Sequence, residues 1–342
     1  MDLMRIRPIR ASDYPSLHRF ALESGHGFTS LPKNEDYLRR RIARSEEAFA
    51  QPGEHGGAAG YLFVMEDVAS RQVVGTTGIE ARVGLDDAFY HYHLSKVVHT
   101  SRELGIYNTV DVLTLCNDYT GASELCTLFL TEAARARQNG HLLSRCRFLF
   151  MAEHPQRFAQ QVIAELRGVS DPSGRSPFWT WLQKHFFSMD LADAIHRVGL
   201  GQKSFIAELM PHYPIYVSLL DEAAQAVIGE VHPQTAPARR LLEKEGFMFR
   251  GYVDPFDAGP SVEAYRQNIR SVRNARRYAL AADNGVAADS PSYLIANTAV
   301  GTFRATVAPA RLNADTDTLA VDAAVLRALE LQSGDAVRAV AV

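Results

Sequence analysis

The 342-residue chain is 46% hydrophobic, enough to bury one large core or two ordinary ones without disulfides. Its 36 basic and 39 acidic residues leave a formal charge of -3, and no basic run is interleaved with aromatics, which argues against a nucleic-acid partner. No window approaches the roughly 18 apolar residues of a membrane span, and the start, MDLMRIRPIRASD, has no apolar stretch before its charges, so the expectation is a cytoplasmic protein.

In chain order, RIRPIR at 5–10 alternates like an edge strand, where Pro8 would be tolerated. Ser12 or Asp13 then caps a helix whose Leu17, Phe20 and Ala21 fall at helical spacing, with Gly25 as its stop. A second helix is expected at about 34–49. The glycine-rich segment 53–60 reads as a surface loop. YLFVMED and QVVGTTGIEA follow as an antiparallel strand pair.

After a long, polar-rich connection, SELCTLFL (123–130) reads as a buried strand. It leads into a polar turn carrying Arg137, Asn139 and Gly140, and then into a helix. A strand that delivers a basic, glycine-bearing turn onto a helix N-terminus builds an anion site, because unpaired N–H groups and the positive end of the helix dipole face one point. Phosphate is the expected guest. The three cysteines, Cys116, Cys126 and Cys146, are odd in number and lack CxxC spacing. They read as buried thiols of a reducing compartment, and no metal site is expected.

Downstream, VIGEV reads as a strand ending just before His232. Thr235 then caps an amphipathic helix with Pro237 in its first turn, Gly246 stops it, and a closing strand follows. After FDAGP (256–260), residues 261–280 read as a basic helix and AADNGVAADSPS as a linker. YLIANT, FRATVA and AVRAVAV are short strands of a small β-rich subdomain. The expected division is 1–255 and 256–342.

This order of elements resembles the acyl-CoA N-acyltransferase (GNAT) fold, whose pyrophosphate loop is typically Q/RxxGxG/A and whose late helix commonly ends xxLYEKxGF. The matching positions are Arg137 and Gly140, then Leu241, Glu243, Lys244, Gly246 and Phe247. The resemblance implies an α+β fold with a twisted mixed, mostly antiparallel sheet. It also places residues 125–130 along the pantetheine of the acyl donor. Two departures stand out: Leu142 replaces a small residue of the loop, and Leu242 stands where many such enzymes keep a tyrosine acid.

Longer strings narrow the likeness. GHGFTSLPKNE, SELCTLFL, NGHLLSR, RGVSDPSGRSPFW, HFFSMD, FIAELMP, PIYV, VIGEVHPQTAPARRLLEKEGF and FDAGP, in order over nearly the whole chain, closely resemble the bacterial arginine N-succinyltransferase family. That resemblance implies transfer of succinyl from succinyl-CoA to the α-amine of L-arginine, with ornithine a further acceptor in some relatives, and no tightly bound cofactor. It implies a homo-oligomer, or a hetero-oligomer with a related chain. It carries succinyl-CoA binding onto Leu128 and the proton-donor role onto His232. The stretch 90–101 departs from the family pattern at His91, His93, Ser95 and Thr100, and Pro255 departs in YVDPFD. These changes bear on the acceptor, and a weakly active paralogue serving a heteromeric enzyme is the alternative they raise.

The chemistry itself asks for a backbone donor at the thioester oxygen, a group titrating near neutrality, and partners for two charged ligand ends. Among 12 histidines, His232 is the first candidate, followed by His99 and then by Glu124 as a carboxylate base. Arg145, Arg167 and Arg175 are available for the succinyl carboxylate. Asp118, Glu165 and Glu208 are available for the acceptor guanidinium.

Overall fold

The computed structural model describes residues 3–24, 31–51, 57, 59–135, 138–186, 188–199 and 204–342. Among them sixteen strands join into one sheet. They are β1 (Met4–Pro8), β2 (Gly60–Asp67), β3 (Val73–Glu80), β4 (His91–Ser101), β5 (Ile106–Cys116), β6 (Ser123–Leu130), β7 (Gln161–Glu165) and β8 (Ile215–Tyr216), followed by β9 (Met248–Val253), β10 (Pro260–Tyr265), β11 (Arg276–Ala282), β12 (Ser292–Asn297), β13 (Ala305–Pro309), β14 (Arg311–Asn313), β15 (Thr318–Val321) and β16 (Ala336–Ala341). Their spatial order is β14-β15-β11-β16-β12-β13-β1-β2-β3-β6-β7-β10-β9-β4-β5-β8. Only β6 with β7 and β11 with β15 run parallel.

Ten α-helices lie among these strands. Helices α1 (Tyr14–Glu23) and α2 (Glu35–Ala50) pack on one face through Leu17, Phe20, Leu38 and Ile42, against Leu62, Val64 and Phe129. On the other face lies α3 (Asn139–Glu153), whose residues 142–151 are all buried. A helix apolar on nearly every side belongs between two layers. Here its neighbours include β1, β3 and β6 on one flank and β12, β13 and β16 on the other. The second core gathers α4 (Pro177–His185), α5 (Leu191–Gly199), α6 (Ser204–Leu209) and α7 (Glu222–Gln225) beneath Tyr92, Leu113 and Val253. The chain closes with α8 (Ala236–Glu245), α9 (Arg270–Asn274) and α10 (Ala323–Leu329).

Several local expectations change. β1 is not an edge strand, since it pairs with both β2 and β13. Its arginines enter the interior because carboxylates meet them there: Arg5 Nη2 lies 2.6 Å from Glu66, Arg7 Nε lies 2.7 Å from Glu66, and Arg7 Nη1 lies 2.7 Å from Asp13. A buried cation is tolerated when paired and hydrogen-bonded. The long connection before β6 is in fact the β4–β5 hairpin, whose outer half is exposed. That exposure explains why it carries little apolar periodicity.

VIGEV is not a strand. The chain leaves α7 into turns, with Gly229 at φ 76°, and only Val231 makes a bridge, to Gly168. Residues 261–280 are not a helix either. Val262 and Ala264 alternate with Ser261 and Glu263 in β10, and only a 3-10 turn at Arg266–Asn268 and the five residues of α9 are helical before β11 begins. β10 runs between β7 and β9. Gly25 and most of the loop at 53–60 lie outside the described residues. Of the thiols, Cys126 and Cys146 are buried and Cys116 is half-buried, and burial pushes the two buried thiols up to about 12.

Candidate functional site

The sheet parts between β6 and β7. These parallel strands share only the pairs Ser123–Val162 and Glu124–Ile163. From Leu125 onward β6 is held by β3 alone, so its edge toward β7 is free of a strand partner. A bulge opposite Thr76 and Gly78 puts Thr127 at φ 57°, a conformation costly for a β-branched residue. Arg41 Nη2 donates to Thr127 Oγ1 at 2.7 Å and holds the bulge. The extra residue shifts the alternation: Leu125, Leu128 and Leu130 join the α3 core, while Phe129 faces α1 and α2. Leu128 is half-buried, with its side chain packed on that core.

Beyond β6 the chain enters α3. Arg137 lies outside the described residues. Asn139 Nδ2 donates to the Ala134 carbonyl at 3.0 Å, which fastens the turn to the helix. The first helical bond beyond the turn runs from Leu142 N–H to the Gln138 carbonyl, and the first-turn N–H groups have no acceptor within the helix. A Cβ at Gly140 would meet nothing within 4 Å, so this point of the helix start is open. Burial, and then the charges of Arg145, Lys244 and Arg270, lower the His141 pKa. The helix start is thus set among cations as well as backbone donors. Leu142 itself is buried in the core.

His232 stands at the end of β7. Its N–H donates to the Arg167 carbonyl at 2.9 Å, beside the Gly168–Val231 bridge. Its Nδ1 accepts from the Gln234 N–H at 3.2 Å, which fits the neutral ring protonated on Nε2. Burial, and secondarily the Arg167 charge, lower its pKa. Leu242, in the position of the usual tyrosine acid, is buried in the main core and offers no proton.

Carboxyl groups crowd the same end of β7. His91 is fully buried, with Nε2 2.9 Å from Glu165 Oε1 but without hydrogen-bond alignment, and its ring meets Tyr119 edge-on. Asp257 accepts from the N–H groups of Gly168 and Gly259 at 2.7 and 2.8 Å, and Asp254 accepts from those of Phe256 and Asp257. Burial raises both aspartates, with further repulsion on Asp254 from Asp257 and Glu165. Perturbed acids packed together at the end of a strand make this cluster a candidate part of the site. The sequence offered Glu165 and His91 separately but missed Asp254 and Asp257, and missed Arg41 and Thr127, because only tertiary packing brings them together. The YVDPFDAGP string held both aspartates but gave no sign of their burial.

The remaining candidates separate clearly. Arg145 is buried against Glu245 at 3.0 Å and Ser271 at 2.9 Å. Arg175 is exposed and paired with Asp171. Asp118 accepts from the Tyr252 hydroxyl at 2.9 Å, and Glu208 is exposed on α6. His99 is exposed on the hairpin, stacked on Tyr216. Glu124 is half-buried opposite Glu80. His93 stacks on Tyr252, and Ser95 and Thr100 lie further out along the hairpin. Among the described residues no group of three or more His, Cys, Asp or Glu is arranged for a metal ion, and no helix is long and apolar enough to cross a membrane.

Two family models cover nearly all of the chain. The model of the arginine N-succinyltransferase beta subunit matches residues 4–271, and that of the subunit's C-terminal domain matches 276–341. The chain belongs to the arginine N-succinyltransferase family. It is 48% identical over 336 residues to the arginine N-succinyltransferase of Salmonella typhimurium, covering 98% of this chain and 96% of that protein, and equally similar to its namesake in Salmonella newport. The arginine/ornithine succinyltransferase subunit AI from Pseudomonas aeruginosa superposes with a TM-score of 0.90 at 36% identity, covering 100% of this chain and 99% of that one. The α+β architecture, with its C-terminal β-rich region, is that of the solved succinyltransferase subunit, and the chain is an acyltransferase.

Proposed function

We propose that this chain transfers the succinyl group of succinyl-CoA to the α-amine of L-arginine in the cytoplasm, with ornithine as a second acceptor and in an oligomer of itself or with a related chain. The observation that carries the reading is the parted β6–β7 pair, which leaves a free strand edge beside His232 and ahead of an open helix N-terminus. The full-length likeness to arginine N-succinyltransferases supports the choice of substrates.

In this reading the pantetheine adds to the free edge of β6, and the backbone around Leu128, turned by the bulge, faces the thioester oxygen as it becomes an oxyanion. The pyrophosphate meets the turn carrying Arg137 and the N–H groups of Asn139 and Gly140. The acidic end of β7 receives the cationic acceptor. His232, kept neutral by burial and by Arg167, is available to take the ammonium proton, and the imidazolium so formed returns a proton to the departing thiolate.

The test is release of CoA thiol by the purified protein with succinyl-CoA and a panel of amines. Release with arginine above the amine-free rate supports the reading, and arginine against ornithine in competition fixes the acceptor. No release with any amine would instead favour the partner-subunit role. Acetyl-CoA should be a poor donor, and equal specificity constants for both donors would refute the choice of donor.

A further inference from the structure

Arg167 follows β7 directly, and its carbonyl holds the His232 backbone, so its side chain is anchored next to the proton-transferring residue. Among the described residues that side chain makes one hydrogen bond, from Nη2 to Ser170 Oγ at 2.8 Å. Its Nε is buried with no acceptor. A guanidinium presents five donors in a planar fork, and buried donors are nearly always satisfied. Arg5, Arg157 and Arg304 also leave Nε unpaired, but each satisfies both Nη groups; Arg167 has one hydrogen bond, to a hydroxyl, and so can take an acceptor that arrives with a ligand. Asp257 acts on Arg167 only through its charge: its hydrogen bonds go to the N–H groups of Gly168 and Gly259. Burial lowers the Arg167 pKa, opposed by Asp257, so the charge is incompletely matched.

The other two arginines that the sequence offered for the carboxylate, and Arg41 at the bulge, are occupied. Arg145 is locked to Glu245 and Ser271, Arg175 lies on the surface with Asp171, and Arg41 is bound to Thr127 and Glu80.

We propose that Arg167 binds the free carboxylate of the acyl donor and thereby selects a dicarboxylic half-thioester over a neutral acyl chain. This rests on the succinyl-donor reading above. A carboxylate also occurs on the amino-acid acceptor, yet the acceptor is a cation that the Glu165 side of the cleft suits. The acyl chain, bonded at the thioester beside His232, extends toward the Arg167 side.

The experiment compares wild type, Arg167→Met and Arg167→Lys with two donors, succinyl-CoA and butyryl-CoA, and two acceptors, arginine and argininamide. Wild type should prefer succinyl-CoA. In Arg167→Met the succinyl-CoA to butyryl-CoA ratio of kcat/KM, taken at each variant's own pH optimum, should fall about 10²-fold, as expected when a charged pair loses its fork, with the arginine-to-argininamide ratio unchanged. Arg167→Lys, which keeps the charge but not the fork, should fall between. If Arg167→Met does not fold, the same ratios in Arg167→Lys decide the matter. An unchanged donor preference in a folded variant overturns the proposal. So does a collapse of the acceptor ratio instead, which would assign Arg167 to the amino-acid carboxylate. A wild-type enzyme indifferent to the donor carboxylate would overturn the donor reading itself.

Discussion

The sheet has two thin seams, and they behave in opposite ways. At the β1–β13 seam only Ile6 and Ala305 are in register, yet the seam is closed by everything around it. Phe303 packs on Phe63 and Phe150 at 5.4 and 5.0 Å, Thr306 Oγ1 donates to the Met4 carbonyl at 2.7 Å, and Arg5 and Arg304 both reach Glu330. At the β6–β7 seam two pairs are in register, yet the strands part. A bulge at Thr127 turns β6, and carboxyl groups crowd the end of β7. A short ladder therefore does not make a cleft. What sets the open seam apart is a bulge that puts Thr127 in the left-handed region and, at the end of β7, an unaligned His91 and two aspartates raised by burial.

If the open seam is the working one, changes there should alter kinetics and leave stability alone, and changes at the closed seam should do the reverse. The largest kinetic effect is expected from His232→Asn, which keeps size but abolishes titration. Turnover should fall about 10²- to 10⁴-fold with succinyl-CoA binding little changed. Near-normal turnover would make His232 a loop residue and turn attention to His99. At the closed seam, Phe303→Ala should cost about 3–5 kcal/mol in denaturant unfolding, with the kinetic constants of the folded enzyme intact. A change in the Michaelis constants without loss of stability would contradict the contrast.

Gly140→Val should raise the Michaelis constant for succinyl-CoA by about tenfold or more through the blocked helix N-terminus. Apart from its chain neighbours and its own helix backbone, no described residue lies within 4 Å of an added Cβ, so unfolding should change little and the constant for arginine should hardly move. The smallest effect concerns pH. Burial and the Arg167 charge disfavour the imidazolium of His232, so the neutral ring persists to lower pH and the acid limb of kcat/KM should lie below about 6.5. Arg167→Met removes one of the two causes and should move that limb upward. A downward or absent movement would show that the guanidinium does not act on His232.

Much of the frame was legible in the sequence because it rests on local signals. Asn34 accepts from the Tyr37 N–H where a helix start was expected, Gly246 stops α8 at φ 99°, and the apolar runs of β2, β3 and β6 match their predominant burial. Where local signals misled, a distant partner had changed the meaning of a residue. Arg5 and Arg7 mark an exposed edge only until Glu66 and Asp13 are placed against them. The arginines around residue 270 suggest a solvated helix until Glu245 is found beneath Arg270 and Glu153 beside Arg277.

By itself the sequence determined the strand that opens into a helix start, the capped and glycine-stopped late helix, and the strings that mark the family, since each depends on residues close together in the chain. Tertiary structure alone decided where the sheet parts, which arginine keeps free donors, and which carboxyls are raised. Those properties depend on what lies across the fold from a residue: whether a partner strand continues, whether a carboxylate already neutralises a guanidinium, and how much water remains. Local pattern carries no record of any of these.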